Sequence, residues 1–137
     1  MTRRMACIIT MTAMVGFTDY AMAGSSRPIT YEKTALSGQE IYIFQDANLN
    51  PDCTSAGLDD VQATAGPSHG SVRIVDGKVY PNFPKDSERY KCNLQSDDGV
   101  QAFYKSAPGF KGQDQVSLSI HTFSGNARSV VVNVTVE

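Results

Sequence analysis

Residues 128–136 read Arg-Ser-Val-Val-Val-Asn-Val-Thr-Val, and they constrain the fold more than any other stretch of the chain. Val130, Val132, Val134 and Val136 share one face of an extended backbone; Ser129, Val131, Asn133 and Thr135 share the other. Two-residue alternation of β-branched side chains marks a strand with one buried face. Such a strand cannot stand alone, because its apolar face and its backbone polar groups both need partners. Residues 115–122 supply one. Val116, Leu118 and Ile120 alternate there with outward-facing Gln115, Ser117, Ser119 and His121. Ser124-Gly125-Asn126 then joins the two segments as a hairpin.

The same pattern recurs upstream. Residues 99–104 put Val100, Ala102 and Tyr104 on one face, and residues 39–44 put Ile41 and Ile43 opposite Tyr42 and Phe44. Val72 and Ile74 alternate up to Asp76-Gly77, a pair suited to a two-residue type I′ turn, which predicts a tight hairpin returning through residues 78–80. Weaker strands are expected near 29–35, 58–64 and 89–93, with a loose connection at 84–88. Turn signals lie between them at residues 50–52, 66–70, 81–84 and 107–109. From residue 24 onward no window carries a sustained 3.6-residue period. Seven or eight short antiparallel strands with regular turn signals predict an all-β chain and a single β-sandwich, a small barrel being the structural alternative.

The N-terminus reads differently. Arg3 and Arg4 precede an uncharged, mostly apolar run at residues 6–17, and Ala21-Met22-Ala23 is a small-x-small cleavage pattern. Together these predict a secretory signal peptide over residues 1–23, bacterial in style, leaving residues 24–137 as the mature domain. The apolar run is too short to span a bilayer, so the mature protein is expected to be periplasmic or secreted and not membrane-spanning. Loss of Arg3, Arg4 and Asp19 leaves 10 basic and 13 acidic side chains. An acidic balance argues against a nucleic-acid partner.

Export changes the meaning of the cysteines. Cys7 leaves with the leader, and Cys53 and Cys92 remain as a pair expected to form a disulfide. Closing that loop contributes roughly 3–4 kcal/mol on the chain-entropy model. A metal or redox pair is the alternative, but neither cysteine lies in a Cys-x-x-Cys spacing or within five residues of a histidine.

Residues 66–136 carry an ordered set of motifs: Pro67-Ser68-His69-Gly70-Ser71-Val72, then Gly99 to Tyr104, then Pro108-Gly109-Phe110-Lys111-Gly112-Gln113-Asp114, then two long terminal strands. In order and spacing this half of the chain resembles bacterial immunoglobulin-like and cadherin-like β-sandwich modules. The resemblance implies an immunoglobulin-like sandwich and structural roles for these residues. Gly109 and Gly112 allow a tight turn. Phe110 turns inward to cap the core, and Asp114 accepts backbone N–H groups. Modules of this kind usually occur in tandem within surface proteins, whereas this sequence holds one copy.

Few residues are candidates for chemistry. His69 and His121 are the only histidines; one belongs to the Pro-Ser-His-Gly turn and the other to the polar face of a strand. No Gly-x-Ser-x-Gly elbow accompanies Ser68, and neither a phosphate-cradling loop nor a nucleotide fingerprint is present. Asn133-Val134-Thr135 matches a glycosylation sequon but falls inside a strand. Calcium is the metal the resemblance suggests. Asp46, Asn48, Asn50 and Asp52 place oxygen ligands at alternate positions, with Asp59, Asp60, Asp97, Asp98 and Asp114 as further acids. The first expectation is therefore a non-catalytic module, with no catalytic residues and no cofactor. It would bind an envelope or extracellular protein or a glycan, through loops or an edge strand. A calcium-dependent structural module is the second reading, and a periplasmic hydrolase or metalloenzyme using His69 or His121 is the third.

Overall fold

A computed structural model describes residues 26–137. The expected signal peptide, residues 1–23, lies outside the described residues. Among the described residues nine strands carry the fold: β1 (Ile29–Ala35), β2 (Glu40–Asp46), β3 (Asn48–Leu49), β4 (Ser55–Gly57), β5 (Asp60–Ala65), β6 (Gly70–Val79), β7 (Asp97–Ser106), β8 (Gly112–His121) and β9 (Ala127–Val136). Two sheets form the sandwich, one in the order β1-β9-β8-β5 and the other β2-β7-β6, while β3 and β4 pair as a small ribbon. No described helix is long and apolar enough to cross a membrane.

The core lies between the two sheets and follows the alternation in the sequence. Val116, Leu118, Ile120, Val130, Val132, Val134 and Val136 face inward from the larger sheet, and Ile43, Val100, Ala102 and Tyr104 from the smaller. The expected β8–β9 hairpin is present, pairing Gly112 with Val136 through to His121 with Ala127. One pairing departs from the antiparallel expectation: β1 runs parallel to β9, Ile29 beside Val130 and Ala35 beside Val136.

Three local expectations are overturned. Asp76-Gly77 makes no turn; β6 runs straight through it and pairs with β7 over its whole length, Gly77 opposite Gly99. A ten-residue ladder, with Lys78 also bridging Asp98 at 2.8 Å, outweighs a local turn preference worth far less. Residues 89–93 do not form a strand. Tyr90–Leu94 is a 3₁₀ turn, built on short-range bonds such as Cys92 N–H to Arg89 O at 2.8 Å. The 84–88 stretch ahead of it is likewise held by turns, with Ser87 N–H donating to Pro84 O. Finally, Phe44 is not opposite Ile43. A bulge between Tyr42 and Phe44 shifts the register, so that Ile43 and Phe44 are both buried while Tyr42 stays outside.

Candidate functional site

The motif residues of the C-terminal half converge on one carboxylate. Asp114 opens the inward face of β8 and is buried. Its Oδ1 accepts the N–H of Ser68 at 2.9 Å and of Gln115 at 2.9 Å. Its Oδ2 accepts the N–H of His69 at 3.0 Å and the Tyr104 hydroxyl at 2.9 Å. Burial alone would raise the Asp114 carboxyl, but the Ser68, Gln115 and His69 amides and the Tyr104 hydroxyl outweigh it and hold the group below its ordinary value. Tyr104 is pushed far above the ordinary phenol range by burial and by this carboxylate.

The turn containing Pro67 is thereby pinned to the sandwich. Gly70 allows it to lie close, since a Cβ there would come within 2.4 Å of Lys105 O. The His69 ring stacks on Phe110 at 4.2 Å between centroids, and Ala107 N–H donates to His69 O at 2.7 Å. Phe110 packs on the core only partly buried, between Gly109 and Gly112, which both adopt positive φ. Pro108 occupies the same turn. Asp114 thus binds the backbone of His69, not its imidazole, and Ser68 offers it an amide rather than a nucleophile. His121 lies at the far end of β8, seven residues and about 23 Å along the strand from Asp114. The two histidines therefore do not share a site.

The four oxygen-bearing candidates near the disulfide separate into two groups. Asn50 donates from Nδ2 to Thr54 Oγ1, and Asp52 accepts from the Thr54 hydroxyl at 2.6 Å and from its N–H at 3.1 Å. Asp46 and Asn48 instead join Asp59. The Asp46 carboxylate accepts from the Arg128 guanidinium, and Asn48 Nδ2 donates to Asp59 Oδ1 at 2.7 Å. The Phe123 N–H also donates to Asp59 Oδ1. Asp59 Oδ2 has no hydrogen-bond partner among the described residues and lies 3.8 Å from Arg128 Nη2. Burial pushes the Asp46 carboxyl above its usual range, Arg128 opposes the shift and Asp59 adds to it. Among the described residues no three His, Cys, Asp or Glu side chains group as metal ligands. The expected disulfide, Cys53–Cys92, is formed.

A further site has no motif in the sequence. β1 and β2 are the rims of their sheets on the same side of the sandwich, and a groove of about 360 Å³ opens between them and residues 80–83. Buried Ile43 and Val79 lie at its base. Around it stand Tyr31, Tyr42 and Tyr80, exposed by 42%, 51% and 62%. The Lys33 ammonium sits 4.6 Å above the Tyr42 ring. The 80–83 wall is fixed from two sides. Gln45 Nε2 donates to Tyr80 O at 3.0 Å, and the Asn93 amide brackets Phe83, donating to its carbonyl at 2.9 Å and accepting its N–H at 2.8 Å. Asn93 follows Cys92, so the disulfide anchors this wall. Sequence reasoning passed over the three tyrosines because they lie far apart in the chain and only pairing brings them together. The one local signal was Tyr42 set opposite the apolar face of β2.

No protein-family model matches the chain, and no curated protein matches it. Among solved structures it is similar to an endo-fucoidan hydrolase of glycoside hydrolase family 107, with 11% identity and a TM-score of 0.43, covering 89% of this chain and 15% of that one. It is also similar to amebosin, at 10% identity and a TM-score of 0.38, covering 82% of this chain and all of that one. Likeness at this level carries no argument about family or activity.

Proposed function

We propose that the protein is an exported, immunoglobulin-like binding module of the periplasm or cell exterior, acting without catalysis through the groove between β1, β2 and residues 80–83. Three tyrosine rings left exposed around one preorganised concavity carry this reading. Tyrosine gives a large, stiff, amphipathic contact surface at low entropic cost, which suits it to recognition. The disulfide supports an oxidising compartment. Two of the groups that a catalytic reading would use are otherwise engaged: the Asp114 carboxylate holds a turn, and the His69 ring stacks on Phe110. The partner is an envelope or extracellular protein or glycan.

The test is capture of cross-linked partners from native cells by the tagged domain and by a variant carrying Tyr31→Ala, Tyr42→Ala and Tyr80→Ala. A component retained by the parent and lost by the variant is the expected result. Equal retention by both, with the variant folded, would overturn the assignment of this groove.

A further inference from the structure

We infer that the groove takes an acidic saccharide chain, with Tyr42 and Tyr80 as stacking surfaces and Lys33 as the charge that selects the anion. This rests on the groove being the binding surface. The tyrosine rings offer apolar faces for pyranose C–H groups, while their hydroxyls, Gln45 and Asn82 offer hydrogen bonds to sugar hydroxyls. Volume and shape fit a small-ligand cleft open to a longer chain.

A peptide strand added to the β2 edge is the competing occupant, and two features oppose it. The bulge between Tyr42 and Phe44 breaks the regular row of edge groups. Lys33 also reaches from β1 to the Tyr42 ring, placing a charged side chain at that edge.

The sign of the ligand follows from the charges around Lys33. It makes no ion pair among the described residues. Glu32 is bonded to Asn133, Glu40 to Arg73, and Asp46, although it lines the groove, to Arg128. A neutral chain seated over Lys33 would replace water on a cation with uncharged hydroxyl oxygens and leave its charge uncompensated. A carboxylate on the sugar supplies the missing counter-charge through a charge-assisted hydrogen bond.

The experiment titrates the disulfide-bonded domain with a uronic-acid tetrasaccharide, cellotetraose and a short strand-forming peptide. It follows tyrosine fluorescence, free of tryptophan because the chain has none, together with backbone amide NMR shifts. The expected result is binding of the uronate at least tenfold tighter than cellotetraose at low salt, narrowing at high salt. Tyr42→Ala and Tyr80→Ala each weaken it about tenfold. Lys33→Gln reduces the uronate to the level of cellotetraose. Tyr80 lies outside the strands, so its variant serves if Tyr42→Ala fails to fold.

Equal affinity for both tetrasaccharides, or a preference unchanged in Lys33→Gln, overturns the acidic ligand. Peptide binding without saccharide binding overturns it too, while tyrosine dependence of that peptide keeps the groove as the binding surface. If neither saccharide nor captured partner responds to the tyrosine variants, both this inference and the groove assignment fall.

Discussion

Tyr104→Phe removes one oxygen from the middle of the sandwich and leaves every apolar contact of the ring in place. Tyr104 is fully buried, and its hydroxyl donates to Asp114 Oδ2 at 2.9 Å. The carboxylate keeps its bonds from the Ser68, His69 and Gln115 amides, so the variant orphans no charge. A hydrogen bond to an ionised acceptor contributes about 1.5–3 kcal/mol, and the still-satisfied carboxylate puts the loss at about 1.5–2 kcal/mol. Asp114→Ala is more severe, stranding the buried hydroxyl and three amides; partial hydration of the exposed turn at Ser68 and His69 leaves about 4 kcal/mol. At about 4 °C per kcal/mol for a domain of this size, melting falls by about 6–8 °C and about 16 °C respectively. The assay is thermal unfolding by circular dichroism at neutral pH with the disulfide intact. In the double variant the Tyr104 change costs less than it does alone, because its partner has gone. A Tyr104→Phe loss below about 0.5 kcal/mol, or strict additivity in the double variant, would refute the linkage. The pH dependence has a definite sign. Asp114 is held below its unfolded value, so its contribution is present above about pH 4 and is lost as the pH falls through the folded value. Tyr104→Phe removes one of the donors that hold it down and so shrinks that acid loss.

Reduction of Cys53–Cys92, which are 39 positions apart, lowers stability by about 4 kcal/mol, read as the shift in denaturant midpoint. It also weakens ligand binding at the groove, because Asn93 then holds Phe83 less firmly; unchanged affinity after reduction would contradict that link. Arg128→Ala leaves Asp46 and deeply buried Asp59 facing each other, and allowing for the partial exposure of Arg128 it costs about 2 kcal/mol. That loss eases on acidification, when Asp46 takes up a proton, as a stability series against pH will record. Gly99→Ala drives a methyl to 2.4 Å from Asp46 O and 2.5 Å from Val79 Cγ2, costing about 2–3 kcal/mol in thermal melts. Phe110→Ala, because the ring is only half-buried against the core and His69, costs about 2 kcal/mol rather than the larger loss of a fully enclosed ring.

The strands that the sequence displayed most clearly are those whose partners are also regular. The valines of β9 and the Val116-Leu118-Ile120 set of β8 each specify one buried face, and a hairpin loop joins them, so local pattern and tertiary pairing agree. Asp76-Gly77 misled because a dipeptide states what a turn can use, whereas the ladder to β7 is a sum over ten residue pairs that no local window contains. Phe44 misled for a related reason: a bulge is a mismatch between two strands and cannot be seen in one of them. The pinned turn was legible as a run of motifs, but Tyr104 and Asp114 gave no sign of facing each other across the core. The tyrosine groove was the least legible. It is assembled from residues 31, 42 and 80, each unremarkable in its own segment, by the accident that two sheet rims fall on one side.

The parallel alignment of β1 with β9 has a mechanical consequence. Tension applied at Ile29 and at Val136 draws the two strands past each other lengthwise, because they point the same way and the load enters at opposite ends. The seven residue pairs between Ile29–Val130 and Ala35–Val136 then share the force at once instead of peeling in turn. The bonds from Glu137 N–H to Ala35 O and from Ser37 N–H to Glu137 O, both 2.9 Å, extend that clamp past the strand ends. Rupture under load is governed by the unfolding rate rather than by equilibrium stability. A domain tethered through these two strands therefore yields in shear and resists pulling more strongly than its melting temperature alone would suggest.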